Sequence, residues 1–184
     1  LCDSLLFNTS LPLKFEYSKS SFSIDSDADE SDIMETAIGQ GKTVVTPIHM
    51  AMITSAIAND GVLMTPYLID HIENYNGVEV ESYEPKEYKT LLSEEDAALL
   101  QSYMKEVVAS GTGEKLSGAG YEAAGKTGSA EFSTASKASH SWFIGYAHRE
   151  DKTDIAVAVI VENSGTGSKY AVPIAKKIFD AYYQ

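Results

Sequence analysis

The first sustained periodicity in the chain begins at Thr46. Ile48, Met52, Ile53, Ala56 and Ile57 recur at helical spacing, Thr46 can cap the free amides, and Pro47 suits the first helical position. Asn59-Asp60-Gly61 ends that helix, with Gly61 able to take the left-handed conformation of a C-terminal cap. The pattern then changes, and Val62 to Ile72 and Val78 to Tyr83 read as two strands joined through the turn Asn74-Tyr75-Asn76-Gly77. A second helix opens at Ser93, with Asp96 as the partner of an approximate capping box. Its apolar face is Leu99, Leu100, Tyr103, Met104, Val107 and Val108, and Gly111 to Gly113 stop it. Three strands follow, about Ala123 to Phe132, His140 to His148 and Ile155 to Glu162, the last two joined by the charged turn Arg149 to Asp154. A third helix, about Val172 to Tyr183, carries Pro173 in its first turn and Ile174, Ile178, Phe179 and Tyr182 as its buried stripe.

Upstream of Thr46 the pattern is weak. Residues 1–32 mix short apolar pieces (Leu5, Leu6, Phe7, Leu11, Leu13, Phe15) with the polar stretch Ser18 to Asp32, and read as an irregular, acidic segment. Residues 33–184 hold the helices, the hairpin and the sheet. At 184 residues the chain is one domain or a piece of a larger one. The abrupt start at Leu1-Cys2-Asp3, without a Met, is read as a cut inside a longer protein whose missing part could hold an anchor. The longest apolar run, Ile155 to Val161, falls far short of the roughly 20 residues a bilayer needs.

Composition narrows the partners. A hydrophobic fraction of 43% excludes bulk disorder, and a net charge of −13 argues against nucleic acid and against an anionic membrane surface. One cysteine, Cys2, excludes an internal disulfide and a Cys-rich zinc site, and no cofactor or metal is expected.

Several motifs fail on inspection. Gly39-Gln40-Gly41-Lys42-Thr43 looks like the end of a phosphate-binding loop, but Thr36 stands where the leading glycine is needed and acidic residues replace the buried strand. It reads as a glycine-rich turn. Asp25-x-Asp27-x-Asp29 resembles a calcium loop, with Glu30 at the turn glycine and Thr36 at the bidentate position, so a solvated acidic loop is expected. His49, His71, His140 and His148 form no ligand-spaced pair and read as structural or surface residues. Lys126-Thr127-Gly128-Ser129 is different. A cation, two hydroxyls and a side-chain-free Gly128 on a strand edge offer an anion-recognition face that a substrate backbone can approach.

Context gives that motif its meaning. Gly39-Gln40-Gly41, Thr46-Pro47, Met50-Ala51, Ala58-Asn59-x-Gly61, Gly111-Thr112-Gly113, Gly125 to Glu131 and Trp142-Phe143-x-Gly145-Tyr146 occur in this order. The series resembles the C-terminal portion of the transpeptidase domain of class B penicillin-binding proteins, from about residue 33 to the end. The resemblance implies an α+β fold in which an antiparallel β-sheet packs with helices on both faces, three strands of the family's five being present here. It implies that the parent is a serine-type peptidoglycan D,D-transpeptidase that binds β-lactams and acts on D-alanyl-D-alanine stem peptides alongside other cell-wall synthesis proteins. Its place would be the extracytoplasmic face of the bacterial cell membrane, anchored by an N-terminal helix outside this chain.

By the same resemblance, Lys126 is the catalytic residue of the third family motif, lining the cleft. Thr127, Gly128 and Ser129 are substrate-binding, with the Ser129 backbone N–H as one of two oxyanion donors. The nucleophile motif is absent. The one formal Ser-x-x-Lys, Ser102-Tyr103-Met104-Lys105, lies mid-helix and reads as helix surface, and no Ser-x-Asn occurs. The chain alone is therefore expected to be inactive, and its open sheet edge to promote self-association. Two other readings stay open: a β-lactam sensor or class D-like β-lactamase fragment, and a non-catalytic binding or scaffold domain.

Overall fold

The structure, a computed structural model, describes residues 2–131 and 138–184. In chain order the elements are α1 (Glu30–Ala37), α2 (Pro47–Ala58), β1 (Val62–Met64), β2 (His71–Glu73), β3 (Glu79–Ser82), β4 (Glu87–Thr90), α3 (Glu94–Ala109), β5 (Glu122–Ala130), β6 (His140–Arg149), β7 (Lys152–Val161) and α4 (Ala171–Tyr182). A short 3-10 turn, Glu114–Leu116, links α3 to β5.

The caps read from the sequence form. Thr46 accepts from the His49 amide and Ser93 from the Asp96 amide at 3.1 Å. Such a cap is worth about 1 kcal/mol. The main sheet is antiparallel in the order β5-β6-β7, with Gly125 opposite Gly145, Lys126 opposite Ile144 and Thr127 opposite Phe143. α4 covers one face, where Val172, Ala175 and Phe179 pack on Phe143, Ala147, Val157 and Val159. α2 and α3 cover the other, where Ile53, Ile57 and Met104 pack on Ala124 and Tyr146. The expected α+β arrangement with helices on both faces is therefore present. Phe143 and Phe179 are fully buried, so truncating either to Ala costs about 3–5 kcal/mol.

Four readings need correction. Val62 to Ile72 is not one strand: Pro66, which has no N–H to give a ladder, falls between β1 and β2, and these join different two-stranded sheets, β1 with β4 and β2 with β3. β4 itself carries no alternation that marks it, since all four of its residues are exposed. The irregular segment 1–32 runs into α1, a helix with no buried residue and hence no stripe to read. It is set by Asp29, which accepts from the Asp32 amide, and by acidic residues in its first turn. That same segment also supplies core, because Leu6, Phe7 and Leu11 are buried. Lastly, the apolar stripes are narrower than expected. Leu99 and Tyr103 of α3 and Ile174 and Ile178 of α4 are exposed, while Ala97, Ala171 and Ala175 make the close contacts. Phe132, the expected end of its strand, lies outside the described residues.

Candidate functional site

β5 changes character at Gly125. Ala124 and Gly125 are buried, whereas Lys126 and Ser129 are exposed and Thr127 and Gly128 half-buried. Strand alternation puts Lys126 and Gly128 on the α2 side of the sheet and Thr127 and Ser129 on the α4 side. The four residues thus share an edge but not a face. Among the described strands β5 pairs only with β6, so its outer edge is open.

Lys126 lies outside the hydrophobic interior. Its ammonium turns onto the outer edge and donates to the Thr127 carbonyl at 2.7 Å, and among the described residues it forms no ion pair. The Ser129 carbonyl accepts from Gln40 Nε2 at 3.1 Å, and the Glu131 N–H donates to Gln40 Oε1 at 3.1 Å. In an antiparallel strand the N–H and C=O of one residue leave on the same side. The Ser129 N–H therefore faces outward, away from β6.

Two more segments close on this edge. The Thr112 and Thr127 hydroxyls lie 2.6 Å apart, so one hydrogen runs between them. The stretch leading into α4 crosses the upper sheet at Gly167, where a Cβ would stand 2.3 Å from the Trp142 carbonyl oxygen and 3.0 Å from Thr127 Cβ. Only glycine permits that approach. Ser141, fully buried on β6, fastens the stretch: its hydroxyl donates to the Thr166 carbonyl at 2.9 Å and accepts from the Ala171 N–H at 3.0 Å. α4 has no side-chain cap of its own, and this strand serine takes that place.

The arrangement is an open edge presenting an ammonium, two hydroxyls and an outward backbone N–H. All four favour an anionic or carbonyl-bearing ligand. The other sequence candidates do not join it. Ser102 is exposed on α3 with its hydroxyl donating to the Leu99 carbonyl at 2.7 Å, and Lys105 pairs with Glu122 at 3.7 Å. Gly39 and Gly41 both have positive φ in a tight turn after α1, and Lys42 sits between Asp25 at 3.9 Å and Asp32 at 3.6 Å. His49 is buried with Nε2 2.8 Å from the Leu5 carbonyl, and burial holds its pKa below the usual imidazole range. His148 pairs with Asp154 at 2.6 Å, His71 lies between Asp70 and Glu73, and His140 accepts from the Asn163 N–H.

The Penicillin binding protein transpeptidase domain model matches residues 5–180, reaching upstream into the segment that sequence patterning left irregular. The chain belongs to the penicillin-binding protein transpeptidase family. It is similar to the peptidoglycan D,D-transpeptidase MrdA of Haemophilus influenzae, 34% identical over an alignment of 172 positions that covers 83% of this chain and 26% of the relative. It is also similar to the peptidoglycan D,D-transpeptidase PbpA of Mycolicibacterium smegmatis, 33% identical over 77% of this chain and 30% of that protein. Among solved structures, penicillin-binding protein A of M. tuberculosis in its imipenem acyl-enzyme complex superposes with a TM-score of 0.82 at 28% identity. That match covers all of this chain and 41% of the other. The chain thus spans about a quarter to a third of the length of these curated relatives.

Within this penicillin-binding family member, Gln40, Thr112 and Ser141 are the residues that sequence reasoning left without a role. Gln40 and Thr112 stand inside the ordered series, each flanked by glycines, but their partners lie 89 and 15 positions away. Nothing local in the sequence states that pairing. Ser141 carries no signal beyond being a polar residue in an apolar strand. Among the described residues no helix is long and apolar enough to cross a membrane.

Proposed function

We propose that these 184 residues are the C-terminal part of a peptidoglycan D,D-transpeptidase and supply the substrate-gripping half of its cleft. The observation that carries this is the outer edge of β5, where Lys126, Thr127 and the Ser129 N–H converge on one open strip. Thr127 and Ser129 bind the terminal carboxylate of the stem peptide through their hydroxyls, and Lys126 supplies the positive charge. Gly128 leaves room for the peptide backbone to lie against the strand.

The nucleophile is a serine of the full-length protein outside this chain. Its hydroxyl oxygen bonds to the carbonyl carbon of the penultimate D-alanine, and the hydroxyl proton passes to a neighbouring base. The carbonyl oxygen carries the charge of the tetrahedral state, and the Ser129 N–H donates to it together with the amide of that serine. The C–N bond then breaks, D-alanine leaves with the proton, and the acyl group passes to an amine of a neighbouring strand. A β-lactam enters the same edge and remains as the acyl-enzyme. The protein works at the extracytoplasmic face of the cell membrane, with other cell-wall synthesis proteins. The isolated chain carries no covalent route, and β7, which among the described strands pairs only with β6, offers an edge for self-association.

The test is labelling with a fluorescent penicillin. The full-length protein should label, Lys126→Ala should lower the rate by on the order of 100-fold, and the isolated chain should stay unlabelled. Labelling of the isolated chain at Ser102 would falsify the assignment. Rapid release of the label would instead make the protein a lactamase.

A further inference from the structure

We infer that Gln40 is a positioning residue for the Ser129 edge, its carboxamide standing in for the N–H and C=O of one residue of a neighbouring strand. The inference rests on the proposed acyl-transfer reading of that edge. Its geometry is specific. The carboxamide makes the two hydrogen bonds of a β-bridge, Nε2 to the Ser129 carbonyl and Oε1 from the Glu131 N–H, both at 3.1 Å. The backbone of Gln40 is itself held, because its N–H donates to the Glu35 carbonyl at 2.8 Å and the Gly39 N–H to the Thr36 carbonyl at 3.0 Å. Gly39 and Gly41, at φ +76° and +69°, let the chain reverse tightly enough to aim the side chain at β5 from the end of α1.

Two consequences follow from chemistry alone. The first is electrostatic. An outward Ser129 presents a donor and an acceptor side by side, and the carbonyl oxygen would repel the negative oxygen that the N–H has to stabilise. Gln40 donates to that carbonyl and so reduces its negative potential, leaving the N–H as the open group of the residue. The second is geometric. With the Glu131 N–H already engaged, an extended peptide adding along β5 finds edge groups at Thr127 and Ser129 but not at Glu131. Gln40 therefore sets where the peptide must end.

The test uses the full-length protein and follows penicillin acylation as a rate ratio to wild type at each pH. Gln40→Ala removes both bonds and should acylate roughly tenfold more slowly. Gln40→Glu places a carboxylate oxygen against the Ser129 carbonyl and should lose on the order of 100-fold at pH ~7.5. A protonated carboxyl can donate to Ser129 and accept from Glu131 as the amide does. Its rate ratio should accordingly recover toward that of wild type as pH falls to about 5, while that of Gln40→Ala stays flat. The charged groups around that position are Glu35 on α1, Lys42 in the same turn with its partners Asp25 and Asp32, Lys126 on β5 and Glu131 just past its end, all retained in both variants. Hydrogen exchange at the Glu131 amide should quicken in Gln40→Ala, which reads the clamp without using activity. Ordinary wild-type acylation with an unchanged Gln40→Ala rate, or a Gln40→Glu ratio that ignores pH, overturns the role of Gln40. A wild-type protein that penicillin does not acylate overturns the acyl-transfer reading itself, while the exchange measurement still reports whether the clamp forms.

Discussion

The two halves of β5 are held by different means. In the lower half, Ala124 and Gly125 lie between helices, and the ring of Phe143 presses on Gly125 so closely that an added Cβ would stand 2.3 Å from its Cζ. In the upper half, Lys126 and Ser129 are exposed, the Gly167 stretch lies close on Thr127 and Gly128, and polar groups from distant segments add direction: Gln40 on Ser129 and Thr112 on Thr127. The lower half is fixed by volume and the upper by direction. A strand can thus be rigid where nothing happens and still present unsatisfied groups where a ligand has to land.

The largest effect expected from this contrast is at Gly125. In Gly125→Ala the new Cβ meets Phe143 and, at 2.6 Å, the backbone oxygen of Ile144, neither of which can yield cheaply. A loss of about 3 kcal/mol in urea unfolding is expected, with penicillin acylation per folded molecule nearly unchanged. If stability held and acylation collapsed, the division between the halves would be wrong.

Next comes Thr127→Val, which keeps shape and removes the hydroxyl. A hydrogen bond to a charged carboxylate is worth about 1.5–3 kcal/mol, so acylation should slow roughly 10- to 100-fold, while stability falls by no more than the one bond to Thr112 contributes, about 1 kcal/mol. Thr112→Val sharpens the point. One hydrogen lies between the two hydroxyls, and when Thr127 donates to an anion it must accept from Thr112. Loss of Thr112 should cost acylation roughly fivefold, and the double variant Thr112→Val with Thr127→Val should be no worse than Thr127→Val alone. Additive losses would mean that Thr112 acts elsewhere.

The smallest effect belongs to the core. Burial keeps the pKa of His49 below its ordinary value of 6.5, so the unfolded chain takes up the proton first. The stability owed to a neutral ring is complete above about 6.5 and is lost as pH falls below it, until the folded ring protonates as well. Unfolding midpoints measured at pH ~7.5 and ~5.5 should show this decline, and His49→Gln should reduce it. A wild-type protein gaining stability on acidification through that window would reverse the sign.

The same contrast explains what the sequence reveals. The helices at Thr46 and Ser93 are legible because capping residues and apolar spacing are local properties, and the β6–β7 hairpin because its two strands follow one another through a short charged turn. The Lys126 to Ser129 edge is legible because its chemistry is concentrated in four consecutive residues. α1 escapes because it buries nothing, and β4 because all its residues face solvent. The break at Pro66 was present in the sequence as a residue without a ladder donor, but the surrounding apolar run masked it. Gln40, Thr112 and Ser141 escape for a third reason. Their meaning lies in a partner brought near only by folding, and a glutamine between two glycines looks the same whether or not a strand edge awaits it.

The seat of Phe143 over Gly125 and Gly145 has a further implication for inherited variation. With both glycines barred from growing, changes that retune the proposed ligand-binding edge are steered away from the strand's buried end and toward the turns carrying Gln40 and Thr112. Tolerated variation that alters the edge should therefore map to those two turns, at positions far apart in the sequence.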